Sequence, residues 1–299
     1  MSSDQSPLLV QSLIGRKGLP FYLKCLESLT RFCNEKVSLL LHTDGSLNKE
    51  KIEFALNHFG DQPVQFHNPE EARQATLDNL EGHPNCQKFR QNSLWGLEFF
   101  DPLFVRPDDP ISYYVDADIL FLRPFSGLFE PKEVEGGALF LRDIQWDAYS
   151  LRPWHLWGLG KRPKIVRGIT TALVCWDKRV IDWNYLEWFL GQFRYHTIPE
   201  WVLPTAQAGL ATRCQAKTVL SKQLPNLYPN ATLSEETFGV HLLGSYRQEW
   251  LPKVEQYVRK QSPECETIRA VFDDCQPRDA LRYGGNQAKR WINTRLNRW

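Results

Sequence analysis

Two aspartates one residue apart, Asp116 and Asp118, interrupt the otherwise apolar stretch ISYYVDADILFLRPF at residues 111–125. Ile111, Tyr113, Tyr114 and Val115 precede them, and the apolar residues 119–122 follow. Runs rich in β-branched and aromatic residues are the pattern of buried strands. An unpaired carboxylate is costly to bury, so a strand holding two must end there or receive a cation. Residues i and i+2 of a strand share a face. Asp116 and Asp118 are therefore expected to converge, with the small Ala117 turned inward. Two oxygen ligands on one face make half a cage for a divalent metal. Aspartates at this spacing also occur in solvated turns, but the flanking apolar runs favour the metal site.

A second group lies at residues 240–247, VHLLGSYR. His241 can offer a neutral imidazole nitrogen to a metal, although a histidine in such a run is, taken alone, a satisfied core residue. Gly244 permits a ligand to approach the backbone closely. Arg247 presents a planar fork suited to phosphate oxygens. A phosphatase with an aspartate nucleophile would carry its pair after the first strand, followed by Gly or a hydroxyl residue. Here the pair is mid-chain and Ile119 follows.

The elements that must position these groups begin with a strand over Leu8–Ile14 and a loop at 15–18. A helix over 20–32, a strand over 37–41 ending in HTDGS, a helix over 49–59 and a short strand over 64–66 come next. This β-α-β-α-β order predicts a parallel, doubly wound sheet with right-handed crossovers. Residues 70–100 are predicted mostly helical, with a break near 82–84. Ligands of such sheets sit beyond the carboxyl ends of the strands. The loops after Ile14, after Leu41 and at Asp116 should then share one crevice. Further strands are predicted at 137–141, 172–176 and 240–243, a helix over 178–195, and a loop leading into a helix over 199–210. Residues 8–260 are expected to form one domain.

Residues 276–299 differ, with Arg278, Arg282, Lys289, Arg290, Arg295 and Arg298 set against Asp279. Ile292, Leu296 and Trp299 fall at helical spacing. A basic helical tail of this kind can rest on an anionic membrane surface. The short stripe favours the plainer alternative, a docked helix with a solvated charged face.

Length and composition bound the rest. A chain of 299 residues, 42% hydrophobic and 24% charged, is globular and long enough for a sizeable core. A net charge of +1 argues against a nucleic-acid protein that depends on a basic field. The 11 tryptophans are assigned mainly to core packing rather than to sugar stacking. Seven scattered cysteines with no CxxC exclude a zinc ribbon and suit a reducing cytoplasm. The N-terminus carries no signal-peptide pattern, and no apolar run is long enough to span a membrane.

A strand ending in DAD followed far downstream by H-x-x-G-x-x-basic resembles the GT-A superfamily of nucleotide-sugar glycosyltransferases. It is most similar to the glycogenin and bacterial galactosyltransferase-like branch. The resemblance implies an α/β fold, a single Rossmann-like domain with a mostly parallel central sheet flanked by helices. It implies Mn2+ (or Mg2+) held by Asp116, Asp118 and His241, with the diphosphate of a UDP-sugar on the metal. Gly244 and Arg247 would lie against that diphosphate, Arg247 standing where the family usually has Lys. LVQSLIG resembles the first strand, which places Leu13 at the nucleotide, and LLLHTDGSL adds Asp44. The segment 86–101 resembles the helix that feeds a basic residue to the donor, here Lys88 or Arg90.

Two departures from the family pattern bear on chemistry. Residues 168–173 lack the family's Asn, and Thr205-Ala206-Gln207 keeps Gln207 but not the acid that usually precedes it. Gln207 and Asp143 are the expected catalytic groups, and the branch implies transfer with retention onto a hydroxyl of a glycan, lipid or protein. A metal-dependent sugar nucleotidyltransferase, using the Gly15-Arg16-Lys17-Gly18 loop, and an inactive nucleotide-sugar-binding relative are the rival readings. The expected location is cytoplasmic, with peripheral contact at the inner face of a membrane through the tail.

Overall fold

The computed structural model describes residues 6–143, 149, 163–192, 199–259 and 266–279. The N-terminal half follows the predicted alternation: β1 (Leu8–Ile14), α1 (Leu19–Phe32), β2 (Val37–Thr43), α2 (Lys49–Phe59) and β3 (Val64–Phe66). Local chemistry sets the helix starts. Asn48 caps α2 by accepting from the Lys51 amide, and Pro20 stands in the first turn of α1, where a missing N–H costs nothing. The predicted helical stretch is three helices, α3 (Pro69–Asn79), α4 (Pro84–Asn92) and α5 (Leu94–Phe104). The expected break falls before Pro84. A second one falls at Ser93, whose hydroxyl accepts from the Trp95 amide and starts α5.

Then come β4 (Ile111–Val115), β5 (Ile119–Phe121), β6 (Phe125–Ser126), the short α6 (Pro131–Val134) and β7 (Gly137–Arg142). These precede β8 (Lys164–Val166), β9 (Ile169–Asp177), α7 (Trp183–Gln192), α8 (Pro199–Leu210) and β10 (Gln215–Val219). The last described elements are β11 (Gly239–His241), α9 (Arg247–Arg259), β12 (Ile268–Arg269), β13 (Phe272–Asp274) and β14 (Pro277–Asp279). Residues 199–210 are helical throughout, where a loop was expected first. Pro204 removes one backbone donor inside α8, but the Thr205 hydroxyl bonds the Trp201 carbonyl at 2.6 Å and the helix continues.

Eight strands form the central sheet in the order β13-β10-β7-β9-β4-β1-β2-β3. Six run the same way, so the sheet is mostly parallel, but it is mixed: β9 is antiparallel to both β4 and β7, and β13 is antiparallel at the edge. Alternate residues of β7 feed two cores. Leu139 and Leu141 join Val10, Leu26 and Leu39 on the α1 face, while Ala138 and Phe140 join Phe100, Trp176 and Phe189 on the α5–α8 face. Burial on both faces explains why β4 is a continuous apolar run rather than an alternating one.

The sheet does not end with residue 260, because β13 supplies its edge strand. Nor does a helix begin at 276: Pro277–Asp279 is a strand that pairs antiparallel with β8. The rest of the basic tail, residues 280–299, lies outside the described residues. No described helix is long and apolar enough to cross a membrane.

Arg90, expected at the donor, is instead committed to the packing of the helices. Its Nε and Nη2 reach Asp101 at 2.5 and 2.8 Å, and the Thr76 hydroxyl donates to the same carboxylate at 2.8 Å. The pair is buried and ties α3, α4 and α5 together. Removing one partner of a buried ion pair leaves the other uncompensated, at about 3–5 kcal/mol. Arg90→Met should therefore lower the unfolding free energy, read from urea titration, by an amount of that order while leaving nucleotide affinity of the folded protein unchanged. A loss of nucleotide binding at full stability would return Arg90 to the donor site.

Candidate active site

The aspartates follow β4 directly. The Asp116 amide donates to the Ala172 carbonyl at 2.7 Å, the last rung to β9. The chain then turns, and the Ile119 amide donates to the Asp116 carbonyl at 3.1 Å. Asp116 and Asp118 thus converge across a tight turn, not by strand period as expected. Ala117 is buried, as its size allows.

Beyond the turn β5 pairs antiparallel with β11, placing His241 opposite Ile119. The Leu242 amide donates to the Asp118 carbonyl at 3.0 Å and pins the two segments together. One ligand atom from each of Asp116, Asp118 and His241 then lies within 4.8 Å of the others. Two hard carboxylates and one imidazole suit Mn2+ or Mg2+, and two like charges at a buried strand end call for a cation.

Cationic side chains of the protein also reach the pair. His241 Nε2 stands 3.2 Å from one Asp118 oxygen, and Arg247 Nη2 stands 3.0 Å from the other. The guanidinium lies 4.2 Å above the Phe21 ring and 5.5 Å from that of Tyr22, a cation–π contact with the start of α1. Asp116 accepts from the Tyr114 hydroxyl at 3.0 Å. Burial pushes the Asp116 carboxyl up to about 7, and the neighbouring Asp118 charge pushes the same way. Burial would also raise Asp118, but His241 and Arg247 outweigh it and hold that carboxyl below its ordinary range. Burial would lower His241, but Asp118 outweighs it and the imidazole is raised.

The other expected residues divide. The loops after β1 and β2 are joined: Ser46 bonds Asp44 through amide and hydroxyl at 2.9 and 2.5 Å, and its hydroxyl accepts from the Arg16 amide at 2.8 Å. A side chain at residue 15 would begin 2.4 Å from an Asp44 oxygen, so Asp44 would have to shift to admit one. Leu13 lies beside the Tyr114 hydroxyl through its backbone. Gly244 lies between His241 and Arg247 with open space where a side chain would be. Asp143 is buried, accepts from the Tyr228 hydroxyl at 2.8 Å, and its charge reaches His241. Lys88 is exposed on α4, outside the three-residue cluster.

Gln207 is not brought to the cluster. Its Oε1 accepts from the Trp176 indole at 3.1 Å, and Trp176 pairs with Ser112, four positions before Asp116 on β4. That is about 13 Å along the strand. The side chain is buried on the α8 face of the sheet.

Three groups near the site escaped the sequence reading. Glu98 of α5 is only 8% exposed. Burial raises its carboxyl well above the usual range, the Asp116 and Asp118 charges add to this, and Thr171 bonds it. Its one signal was an acid inside the apolar helix LWGLEFFDPLF. Asn226 contacts His241, and Tyr228 contacts Asp143; neither has a signal in sequence spacing.

Neither protein-family models nor curated protein sequences match this chain. Solved structures do. Mouse xyloside xylosyltransferase 1 superposes with a TM-score of 0.55 at 10% identity, covering 81% of this chain and 99% of that one. The bifunctional glycosyltransferase WbbM superposes with a TM-score of 0.52 at 8% identity, covering 87% of this chain and 52% of that one. The chain therefore has the fold of the GT-A glycosyltransferases.

Protons and metal compete for the same ligand atoms. With burial raising Asp116 to about 7 and Asp118 raising His241, Mn2+ affinity should climb as pH rises through the neutral range. The expected slope is about tenfold per pH unit for each proton displaced. Titrating free Mn2+ by electron paramagnetic resonance across this interval checks it, and a flat profile would contradict the assignment.

Proposed function

We propose that this chain is a metal-dependent glycosyltransferase. It moves a sugar from a nucleoside-diphosphate donor, with UDP-sugars foremost, onto a hydroxyl of a glycan, lipid or protein. The observation that carries the reading is the Asp116–Asp118–His241 cluster with Arg247 against it, at the carboxyl end of β4 in a GT-A fold.

Breaking a sugar–phosphate bond puts negative charge on the departing diphosphate. A bound Mn2+ or Mg2+, held by Asp116, Asp118 and His241, would supply Lewis-acid stabilisation of that charge. Arg247 supplies fixed positive charge beside it. Its Nη2 donates to Asp118, and its Nε is buried with no protein partner. Phe21 and Tyr22 hold the plane of the Arg247 guanidinium in place, and its remaining donors would be available to phosphate oxygens of a bound diphosphate. Gly244 leaves space for the diphosphate to approach the backbone. The end of β1, with Leu13, and the joined loops, with Asp44, form the candidate nucleotide side. Asp143, oriented by Tyr228, is the candidate polar group on the sugar side. Glu98 is a further acid beside the pair, outside the metal cluster itself. Retention is the proposed outcome, since it asks for no strong base positioned at the acceptor hydroxyl.

Asp118→Asn should abolish Mn2+-dependent UDP binding in calorimetry while the protein keeps its fold by circular dichroism. Unchanged metal-dependent UDP affinity would sink the proposal. The donor sugar follows from a thermal-stabilisation screen of nucleotide-sugars with Mn2+, because a ligand of the folded state alone raises stability by mass action. Turnover of the stabilising nucleotide-sugar then separates an enzyme from a binding relative.

A further inference from the structure

We infer that Asn226 is a positioning residue that presets His241 as a metal ligand. The inference rests on the metal–nucleotide reading of the site above. Residues 225–228 run beside β11: the His241 amide donates to the Pro225 carbonyl and the Leu227 amide to the His241 carbonyl, both at 3.0 Å. This bridge fixes Asn226 next to His241. The Asn226 side chain spans from the Arg142 carbonyl, 3.0 Å from its Nδ2, to His241 Nδ1, 2.6 Å from its Oδ1.

The direction of the amide follows from chemistry. A backbone carbonyl only accepts, so the amide nitrogen must face Arg142 and the amide oxygen must face His241. That oxygen cannot donate, so the proton of this hydrogen bond belongs to Nδ1 of the ring. With Nδ1 keeping its proton, Nε2 is the only ring nitrogen that can give up a proton and offer a lone pair to a metal; it stands 3.2 Å from Asp118, to which it donates, and is directed into the cluster. Without Asn226, a neutral ring is free to carry its proton on Nε2, the wrong tautomer for a ligand here. The ring would also lose the contact that sets its orientation. The anchor of this relay is the end of β7, so the central sheet itself holds the third ligand in register with the aspartates. Partners of this kind are worth about 10–100-fold in metal affinity.

The test is a double-mutant cycle. Mn2+ is titrated calorimetrically, in the presence of UDP, into full-length wild type, Asn226→Leu, His241→Ala and the double variant. Asn226→Leu should weaken Mn2+ binding by about 10–100-fold. On the His241→Ala background the same change should cost less than about twofold, because Asn226 acts only through the ring. Losses that multiply in the double variant, or an Asn226→Leu affinity within about twofold of wild type, overturn the inference. Asn226→Ser, which is smaller and places no acceptor at that distance, completes the same cycle if leucine unfolds the protein. Wild type that binds no Mn2+ with UDP overturns the functional reading and this inference together; a multiplicative cycle in a protein that does bind overturns this inference alone.

Discussion

Asp116 and Asp118 place two negative charges at the end of a strand buried on both faces, and the surrounding chain is arranged so that cations reach them. Asp118 meets this with both oxygens, one against His241 and one against Arg247. Each partner arrives by a different route. The β5–β11 pairing delivers His241, the first residue of α9 delivers Arg247, and the start of α1 offers the aromatic rings on which the guanidinium rests. Residues from three distant parts of the chain are thereby held at one point by the need to compensate buried charge.

Much of this was readable in the sequence because it depends on local pattern. The apolar runs of β1, β2 and β4, the helices between them and the break before Pro84 all follow from residue type and period. The metal ligands were also legible, since carboxylates and a histidine stand out against apolar runs. The reason for their convergence was not. Strand period was read as the cause of their convergence at the strand end, whereas the Asp116–Ile119 turn brings the two side chains together. The reversed direction of β9 was equally hidden, because an apolar run records burial and not polarity.

The misplaced residues fail for one physical reason: their partners are tertiary. Arg90 looks free in sequence, but Asp101 on the next helix claims it. Gln207 looks like a survivor of a family motif, but Trp176 holds it at the far end of the strands. Glu98, Asn226 and Tyr228 carry no spacing signal because each acts across a fold that only the sheet assembles. The fold is shared with known glycosyltransferases at identities near 10%, and a fold by itself does not fix which side chains line its crevice.

The most direct measurement is an anomalous difference map at the manganese edge, from crystals of the full chain grown with Mn2+ and UDP. The account requires one strong peak bonded to an oxygen of Asp116, an oxygen of Asp118 and Nε2 of His241. Arg247 should reach the diphosphate with its remaining donors. A peak elsewhere, or nucleotide bound with Asp118 still paired to Arg247 and no metal between them, would contradict it.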